Sequence, residues 1–195
     1  MYLGGYPRQL LSQRSQHQFR GMASSKPLIT VSSLTHIHPT SLAPQILDPE
    51  QRSKLGVIDV RDSDHVGGNI NGSTWIPLHQ LDARMPELLR TMKDKEKVVF
   101  HCMLSQQRGP QAALMYARAK QRADEKALAE AAKAAEQEDL SQKPNNDGDD
   151  VPKKDTQETK PEQQVCVLEG GFGSWQARYG EDPRLTADYV ADIWL

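Results

Sequence analysis

The residue pair best suited to chemistry is Cys102 and Arg108, which are separated by five residues. The apolar run at 98–100 predicts a short buried strand before the cysteine, and the Gly-Pro pair at 109–110 predicts a helix after the arginine. A loop that ends at a helix N-terminus directs backbone N–H groups and a partial positive charge at one point. The spacing therefore predicts a nucleophilic thiolate beside an arginine that binds oxyanions.

The chemistry of these two side chains supports this interpretation. A cysteine at a helix N-terminus, near Arg and His, can have its pKa lowered to about 3.5–7.5. Arginine offers a rigid fork of donors that suits a bidentate grip on a tetrahedral oxyanion. The alternative is a buried structural cysteine with a surface arginine. The coincidence of strand, spacing and helix start favours a functional site.

The elements around this site predict an α/β domain. Apolar and β-branched runs alternate with segments of helical periodicity, and this alternation favours a parallel sheet between helices. Ligands of such sheets bind beyond the carboxyl ends of the strands, where Cys102 is placed. The predicted strands are 29–37, 56–62, 74–78, 98–102 and 165–168, and the predicted helices cover 42–47, 81–92 and 110–117, with a further helix after 171.

Composition excludes several classes of function. The 195 residues predict about one domain, and a net charge of −2 gives no sign of a nucleic-acid partner. There is no apolar run of the roughly 18 residues that a membrane span needs. Two cysteines do not form a disulfide scaffold, so we expect a reducing compartment, cytoplasmic or nuclear.

Two segments are predicted to lie outside the core. Residues 1–29 are basic and contain no acid, since Asp48 is the first acidic residue of the chain. They are predicted to be a flexible tail, with a mitochondrial targeting segment as the alternative. The domain then covers 30–195 and is interrupted at 118–164 by a charged insertion, part extended helix and part disordered linker. A docking role for this insertion is the alternative to simple solvation.

The other potentially reactive side chains are predicted to have no chemical role. His36 and His38 share a predicted strand face, but a third ligand is missing nearby, so we expect no metal and no cofactor. Cys166 lies among apolar residues of a predicted strand. An inert buried thiol is favoured over a thiol that resolves an intermediate on Cys102.

Three further segments resemble the rhodanese-like domain: residues 57–62, the turn-rich loop 67–73, and Leu-Glu-Gly-Gly-Phe-x-x-Trp at 168–175. The resemblance covers about residues 30–117 and 165–180. It implies a three-layer α/β sandwich with a mainly parallel, five-stranded sheet. Sulfurtransferases of that superfamily usually have one residue fewer between cysteine and arginine.

The sequence His-Cys-x5-Arg-Gly-Pro at 101–110 instead resembles the cell-division-cycle dual-specificity phosphatases and the eukaryotic arsenate reductases. That resemblance implies that Cys102 is the nucleophile, Arg108 the oxyanion clamp, and the loop between them the phosphate-binding cradle. The cradle residues are Met103, Leu104, Ser105, Gln106 and Gln107. The longer loop also widens the ring of N–H groups, from one suited to a persulfide to one that holds a phosphate-sized anion.

The chain departs from those phosphatases inside the loop. The regulatory cell-cycle enzymes carry an acidic residue just before the arginine, where this chain has Gln106 and Gln107. The position of a loop-borne general acid is therefore empty, and Asp59 is expected to brace the loop or Arg61 rather than act as the acid.

The leading hypothesis is a cysteine-dependent phosphatase of the tyrosine or dual-specificity type, which forms a phosphocysteine on a phosphorylated protein or small oxyanion substrate. The runner-up is an arsenate reductase, for which glutathione or Cys166 would supply the second thiol. A sulfurtransferase and a non-catalytic rhodanese-like binding module are further alternatives. The loop length argues against the former, and retention of both Cys102 and Arg108 argues against the latter.

Overall fold

The structure is a computed structural model that describes residues 28–139 and 162–194. Within these ranges the chain forms seven strands and five helices, together with short 3₁₀ turns at Val31–Ser33 and Ala191–Ile193. In chain order the elements are β1 (Thr35–Ile37), α1 (Pro39–Leu47), α2 (Pro49–Ser53), β2 (Leu55–Asp59), β3 (Asn69–Ile70), β4 (Thr74–Trp75), α3 (Leu78–Thr91), β5 (Lys97–His101), α4 (Arg108–Asp139), β6 (Gln164–Leu168), α5 (Gly171–Tyr179) and β7 (Thr186–Ala187).

Five of the strands form one parallel sheet in the order β1-β6-β5-β2-β4. All five residues of β2 are buried, as are four of the five in β5, because helices cover both faces of a parallel sheet. The predicted α/β class and the rhodanese-like sandwich with a five-stranded parallel sheet are confirmed. β3 and β7 pair antiparallel in a separate ribbon.

The two faces of the sheet have separate cores. On one face, side chains of β2 and β5 pack against α3 and α4, with Phe100 and Tyr116 at a ring-centroid distance of 5.3 Å. On the other face the sheet packs against α1 and α5, where Trp175 is fully buried. The carboxyl ends of β2, β5 and β6 consequently meet at one edge of this three-layer domain.

Several predicted element boundaries differ from the structure; the strand predicted at 56–62 ends at Asp59, for example, and the helix predicted at 42–47 begins at Pro39. The predicted strand 29–37 is a strand only at 35–37, because Thr30 and Ser33 exchange hydrogen bonds that close a 3₁₀ turn. The strand predicted at 74–78 ends at Trp75, since Pro77 has no N–H to continue a ladder and instead precedes α3. Helix α4 begins at Arg108 and so includes Pro110 in its first turn, where N–H groups have no helical partner.

The carboxy-terminal segment packs against the loop that follows β2. The Trp194 indole N–H donates to the Gly67 carbonyl oxygen at 2.9 Å, and its ring meets Phe172 edge-on at 5.8 Å. Antiparallel pairing of β3 with β7 holds the same two segments together. The segment therefore supports the loop that carries several residues of the site.

Helix α4 continues to Asp139, through the first part of the predicted insertion. The rest of that insertion at 140–161 and the predicted tail at 1–27 lie outside the described residues. Among the helices that the structure describes, none has the length and apolar composition to cross a bilayer.

Deletion of residues 139–160 is expected to leave the domain folded and active. The deleted residues include only Leu140 and Val151 as large apolar side chains, and are too polar to offset the ordering cost of about 1–2 kcal/mol per residue. The retained end of α4 lies about 33 Å along the helix from Tyr116. Because Tyr116 bonds Gln163 at 2.8 Å, at least one outer turn must unwind to close the chain.

Unwinding there should have little effect on stability, because the side chains of residues 122–134 are exposed. The measurement is thermal unfolding together with turnover of an aryl phosphate. A comparison variant that also lacks residues 112–118 removes buried helix and should not fold, since Ala112, Ala113 and Tyr116 are in the core. Unfolding of the first variant would contradict the proposed domain boundaries.

Candidate active site

The predicted nucleophile, Cys102, directly follows β5, at the edge of the domain where the carboxyl ends of β2, β5 and β6 meet. Cys102 is 4% exposed, and the Ser105 backbone N–H donates to its sulfur at 3.2 Å. Ser105 has a φ of 53°, a left-handed conformation that turns the chain back toward the sulfur before α4 begins. The loop 102–107 thus curls around Sγ.

Helix α5 holds the outside of this loop. The N–H groups of Phe172 and Gly173 donate to the carbonyl oxygens of Cys102 and Met103 at 2.9 and 2.8 Å. No residue within the described ranges accepts a hydrogen bond from the N–H groups of residues 103, 104, 106 or 107. With the carbonyls engaged on the α5 side, the loop keeps these four donors available for an anion.

Gly171 allows this close contact, and Gly171→Ala is expected to damage the site. Gly171 has a φ of 58°, and a Cβ there would lie 2.5 Å from the carbonyl oxygens of both Cys102 and Met103. These backbone atoms can move only by displacing the loop. Because a shift of about 1 Å in a reacting group can reduce rate by about 10²-fold, we expect kcat/KM to fall at least 10-fold.

Gly170→Ala is the matched control for this prediction. Gly170 has a similar φ of 67°, so alanine brings comparable backbone strain of about 1–2 kcal/mol. Its Cβ would meet Oγ and Cβ of Ser174, on the first turn of α5, and the shift needed there does not involve the carbonyls of the loop 102–107. Urea unfolding should show both variants destabilised, whereas steady-state kinetics should show the larger loss for Gly171→Ala. Equal kinetics would mean that the α5 contact does not shape the loop.

The predicted clamp, Arg108, is bound by two carboxylates from the loop after β2. Its Nη1 donates to Asp62 Oδ2 at 3.1 Å and to Asp64 Oδ1 at 2.7 Å, and its Nη2 donates to Asp64 Oδ2. The hydrogen bonds from Arg108 lower the pKa of Asp64 to about 2, and the same contacts raise the pKa of Arg108. All three groups are charged at neutral pH.

Asp59 lies beneath the site as a structural brace. It is fully buried, and its Oδ2 accepts from Arg61 Nη2 at 2.7 Å, while Arg61 Nη2 also donates to the Gly68 carbonyl at 2.7 Å. Burial by itself would raise the pKa of Asp59, but His101 and Arg61 lower it below its usual range. A buried, ionised carboxylate that is bound by arginine is unsuited to donate a proton.

His101 precedes the nucleophile and is also fully buried. Its Nε2 lies 3.8 Å from Asp59 Oδ2, and has no hydrogen-bond partner in the described part of the chain. Burial, together with the nearby Arg61, lowers the pKa of His101. The imidazole is therefore neutral at neutral pH and fills the space below the loop.

The predicted cradle residues differ in exposure. Ser105 is buried and Met103 is half-buried, whereas Leu104, Gln106 and Gln107 are exposed. Of the two histidines on the predicted strand face, His38 caps α1, because its imidazole accepts from the Thr40 N–H. The described ranges contain no cluster of three or more His, Cys, Asp or Glu side chains suited to a metal ion.

Cys166 is separated from Cys102 by the sheet. It pairs with Val99 in the register of β5 and β6, and it packs in the core against α1 and α5. Cys102 lies three residues beyond Val99, about 10 Å along the strand, and packs in the opposite core. Burial raises the pKa of Cys166. Since a disulfide needs Cα atoms within about 7 Å, Cys166 is too far from Cys102 in this structure to form one, which agrees with the prediction of a buried core thiol.

Sequence reasoning did not identify Asp62, Asp64 and Gly171 as members of the site. A signal for the two acids was present, because Asp62 ends the strand predicted at 56–62, Asp64 comes two residues later, and the carboxyl ends of neighbouring parallel strands meet at one edge. What was missing was the knowledge that β2 and β5 are adjacent. The contact of Gly171 with the loop had no comparable signal.

The sequence is similar to those of several characterised phosphatases. The chain is 30% identical over 179 residues to the CDC25-like phosphatase YCH1 of Saccharomyces cerevisiae, covering 85% of this chain and 97% of the relative. It is 29% identical over 150 residues to the dual specificity phosphatase ibp1 of Schizosaccharomyces pombe, covering 77% and 94%. The sequence matches no protein-family model.

Solved structures lead to the same group. A yeast protein tyrosine phosphatase of the rhodanese family, Ygr203w, superimposes with a TM-score of 0.55 at 28% identity, over 86% of this chain and 99% of its own. An As-Sb reductase from Leishmania major superimposes with a TM-score of 0.52 at 25% identity, over 78% and 84%. Phosphatases and a metalloid reductase thus share this fold.

Proposed function

This chain belongs to the rhodanese-like family that includes Cdc25-like phosphatases and arsenate reductases, and from that membership we propose that it is a cysteine-dependent phosphatase. An enzyme of this phosphatase and reductase kind is supported by its relatives. The proposed reaction is hydrolysis of a phosphate ester through a phosphocysteine on Cys102.

The proposed reaction has two displacements. The Cys102 thiolate attacks phosphorus, so that a P–S bond forms while the ester P–O bond breaks and the leaving oxygen takes a proton. Water then attacks phosphorus, the P–S bond breaks, and inorganic phosphate leaves with the thiolate restored. The donors of the loop and Arg108 stabilise the negative charge on the three equatorial oxygens in both steps.

One observation carries this proposal: the Ser105 N–H donates to the buried sulfur of Cys102, four further N–H groups of the loop have no acceptor among the described residues, and the next helix begins at Arg108. A ring of backbone donors next to a nucleophile suits a tetrahedral anion with three equivalent oxygens. The loop between Cys102 and Arg108 has five residues, and this length favours a phosphate-sized anion over a persulfide.

Arsenate reduction is the second candidate, and the likeness to the Leishmania reductase favours it. In that reaction the thiolate attacks arsenic(V), and two thiols together supply the two electrons that yield arsenic(III) and a disulfide. The buried position of Cys166 on the opposite face argues for an external thiol such as glutathione as the second reductant.

Sulfur transfer and a purely binding function are the remaining hypotheses. Sulfur transfer would use Cys102 as a persulfide carrier, but the loop is longer than sulfurtransferases usually have. A binding module would not need both the buried sulfur and the charged clamp. The substrate itself, a phosphorylated protein or a small oxyanion, and a cytoplasmic, nuclear or mitochondrial location remain predictions from the sequence.

A side-by-side turnover assay tests the proposal. The purified chain is given an aryl phosphate, arsenate with glutathione, or thiosulfate with cyanide, and released phosphate, arsenite or thiocyanate is measured. We expect turnover of the aryl phosphate to exceed the other two. Turnover of arsenate alone would make the protein a reductase, and activity with thiosulfate alone would assign sulfur transfer.

A further inference from the structure

The contacts of Arg108 leave one edge of its guanidinium unused. The group has five N–H donors in a fixed fork. Both Nη1 hydrogens are used, one by Asp62 and one by Asp64, and one Nη2 hydrogen is used by Asp64. The Nε–H and the second Nη2–H donate to no described residue, and they lie side by side on the same edge of the fork.

The two carboxylates are themselves held in place. The Asp62 N–H donates to Asp64 Oδ1 at 3.0 Å, which closes a tight turn in the loop after β2. The other oxygen of Asp62 contacts His79 Nδ1 at 3.0 Å, on the first turn of α3. The guanidinium of Arg108 is therefore held by the loop after β2, which is itself bound to α3, as well as by its own helix.

We propose that Asp62 and Asp64 are positioning residues, which orient Arg108 so that its Nε–Nη2 edge is presented to the oxyanion above Cys102. This inference rests on the proposed function only in that the bound group is an oxyanion. A side-on edge with two parallel N–H groups is the geometry that binds two oxygens of phosphate or arsenate at once.

The two carboxylates could instead act as counterions of Arg108, and removing them would then change the anion affinity in the opposite direction. Two carboxylates beside one guanidinium give this corner a net negative charge, which by itself repels an anion. If their main effect were that of counterions, an incoming anion would have to displace them, and their removal would tighten anion binding. If they position the fork, as proposed, their removal weakens binding because Arg108 becomes free to turn.

The test uses Asp64→Asn, which keeps the shape of the side chain but removes its charge and one acceptor. Dissociation constants for inorganic phosphate and for arsenate are measured by titration calorimetry, and kcat and KM with an aryl phosphate. Partners that orient a first-contact group typically change affinity or activity by about 10–100-fold. We expect Asp64→Asn to weaken phosphate binding at least 10-fold, and Asp62→Asn, with one bond to Arg108, to weaken it less.

Two further variants control the experiment. Asp124→Asn makes the same change in an ion pair with Lys120, about 24 Å farther along α4, and should leave phosphate affinity and kcat/KM within twofold of the parent. Asp64→Glu keeps the charge and both acceptor oxygens, so it should recover most of the affinity lost in Asp64→Asn. If Asp64 only supported the fold, phosphate affinity would not be lost in Asp64→Asn and recovered in Asp64→Glu.

Each outcome decides the inference. Tighter phosphate binding by Asp64→Asn, or no change, would overturn it, as would a parent protein that binds neither phosphate nor arsenate. A parent that binds phosphate but does not hydrolyse the aryl phosphate would refute the proposed phosphatase function. In that case weaker binding by Asp64→Asn would still support the positioning role.

Discussion

Cys102→Ser should abolish turnover of an aryl phosphate while leaving the fold intact. Sulfur and oxygen are close in size, and the side chain is 4% exposed in a loop held by α5, so the substitution changes little in packing. A serine hydroxyl with no adjacent general base stays protonated at neutral pH and is a weak nucleophile. The measurement is release of phosphate, with thermal unfolding as the test of folding.

Cys166→Ser is the matched control, because it makes the same change in the core on the other face of the sheet. We expect it to retain turnover and to lose stability, since a buried hydroxyl without a partner costs about 1–3 kcal/mol. Substantial turnover by folded Cys102→Ser protein would rule out Cys102 as nucleophile. Loss of glutathione-dependent arsenate reduction in Cys166→Ser, at a temperature where it is folded, would restore a role for Cys166.

Arg108→Lys should reduce kcat/KM by on the order of 10²-fold or more, comparable to the loss of one preorganised oxyanion donor. An ammonium can neither present two parallel N–H groups to phosphate nor make the paired contacts that Arg108 makes with Asp62 and Asp64. Steady-state kinetics with an aryl phosphate measure the effect.

Arg118→Lys is the comparison variant, because Arg118 lies on the same helix about 15 Å farther along and donates twice to the Ile29 carbonyl. It should alter stability slightly and leave kcat/KM near that of the parent. Near-normal kinetics for Arg108→Lys would mean that the loop N–H groups alone bind the substrate. Asp62 and Asp64 could then not affect substrate binding by orienting Arg108.

The reactive centre was predictable because its parts are contiguous. A strand, a cysteine, five loop residues and a helix start all fall within residues 97–110, and each depends on local preferences of the backbone. The fold class was predictable for a similar reason: alternating strands and helices leave few arrangements other than a parallel sheet between helical layers.

Only the tertiary structure decided which distant residues join that centre. Asp62 and Asp64 reach Arg108 because β2 lies next to β5, a strand order that the chain order does not reveal. Cys166 is excluded because a strand turns successive side chains to opposite faces, and its register with Val99 places it on the face away from Cys102. Gly171 meets the loop because α5 docks there. Local sequence thus determined the strand, loop and helix that carry Cys102 and Arg108, whereas strand order and register determined which distant residues contact them.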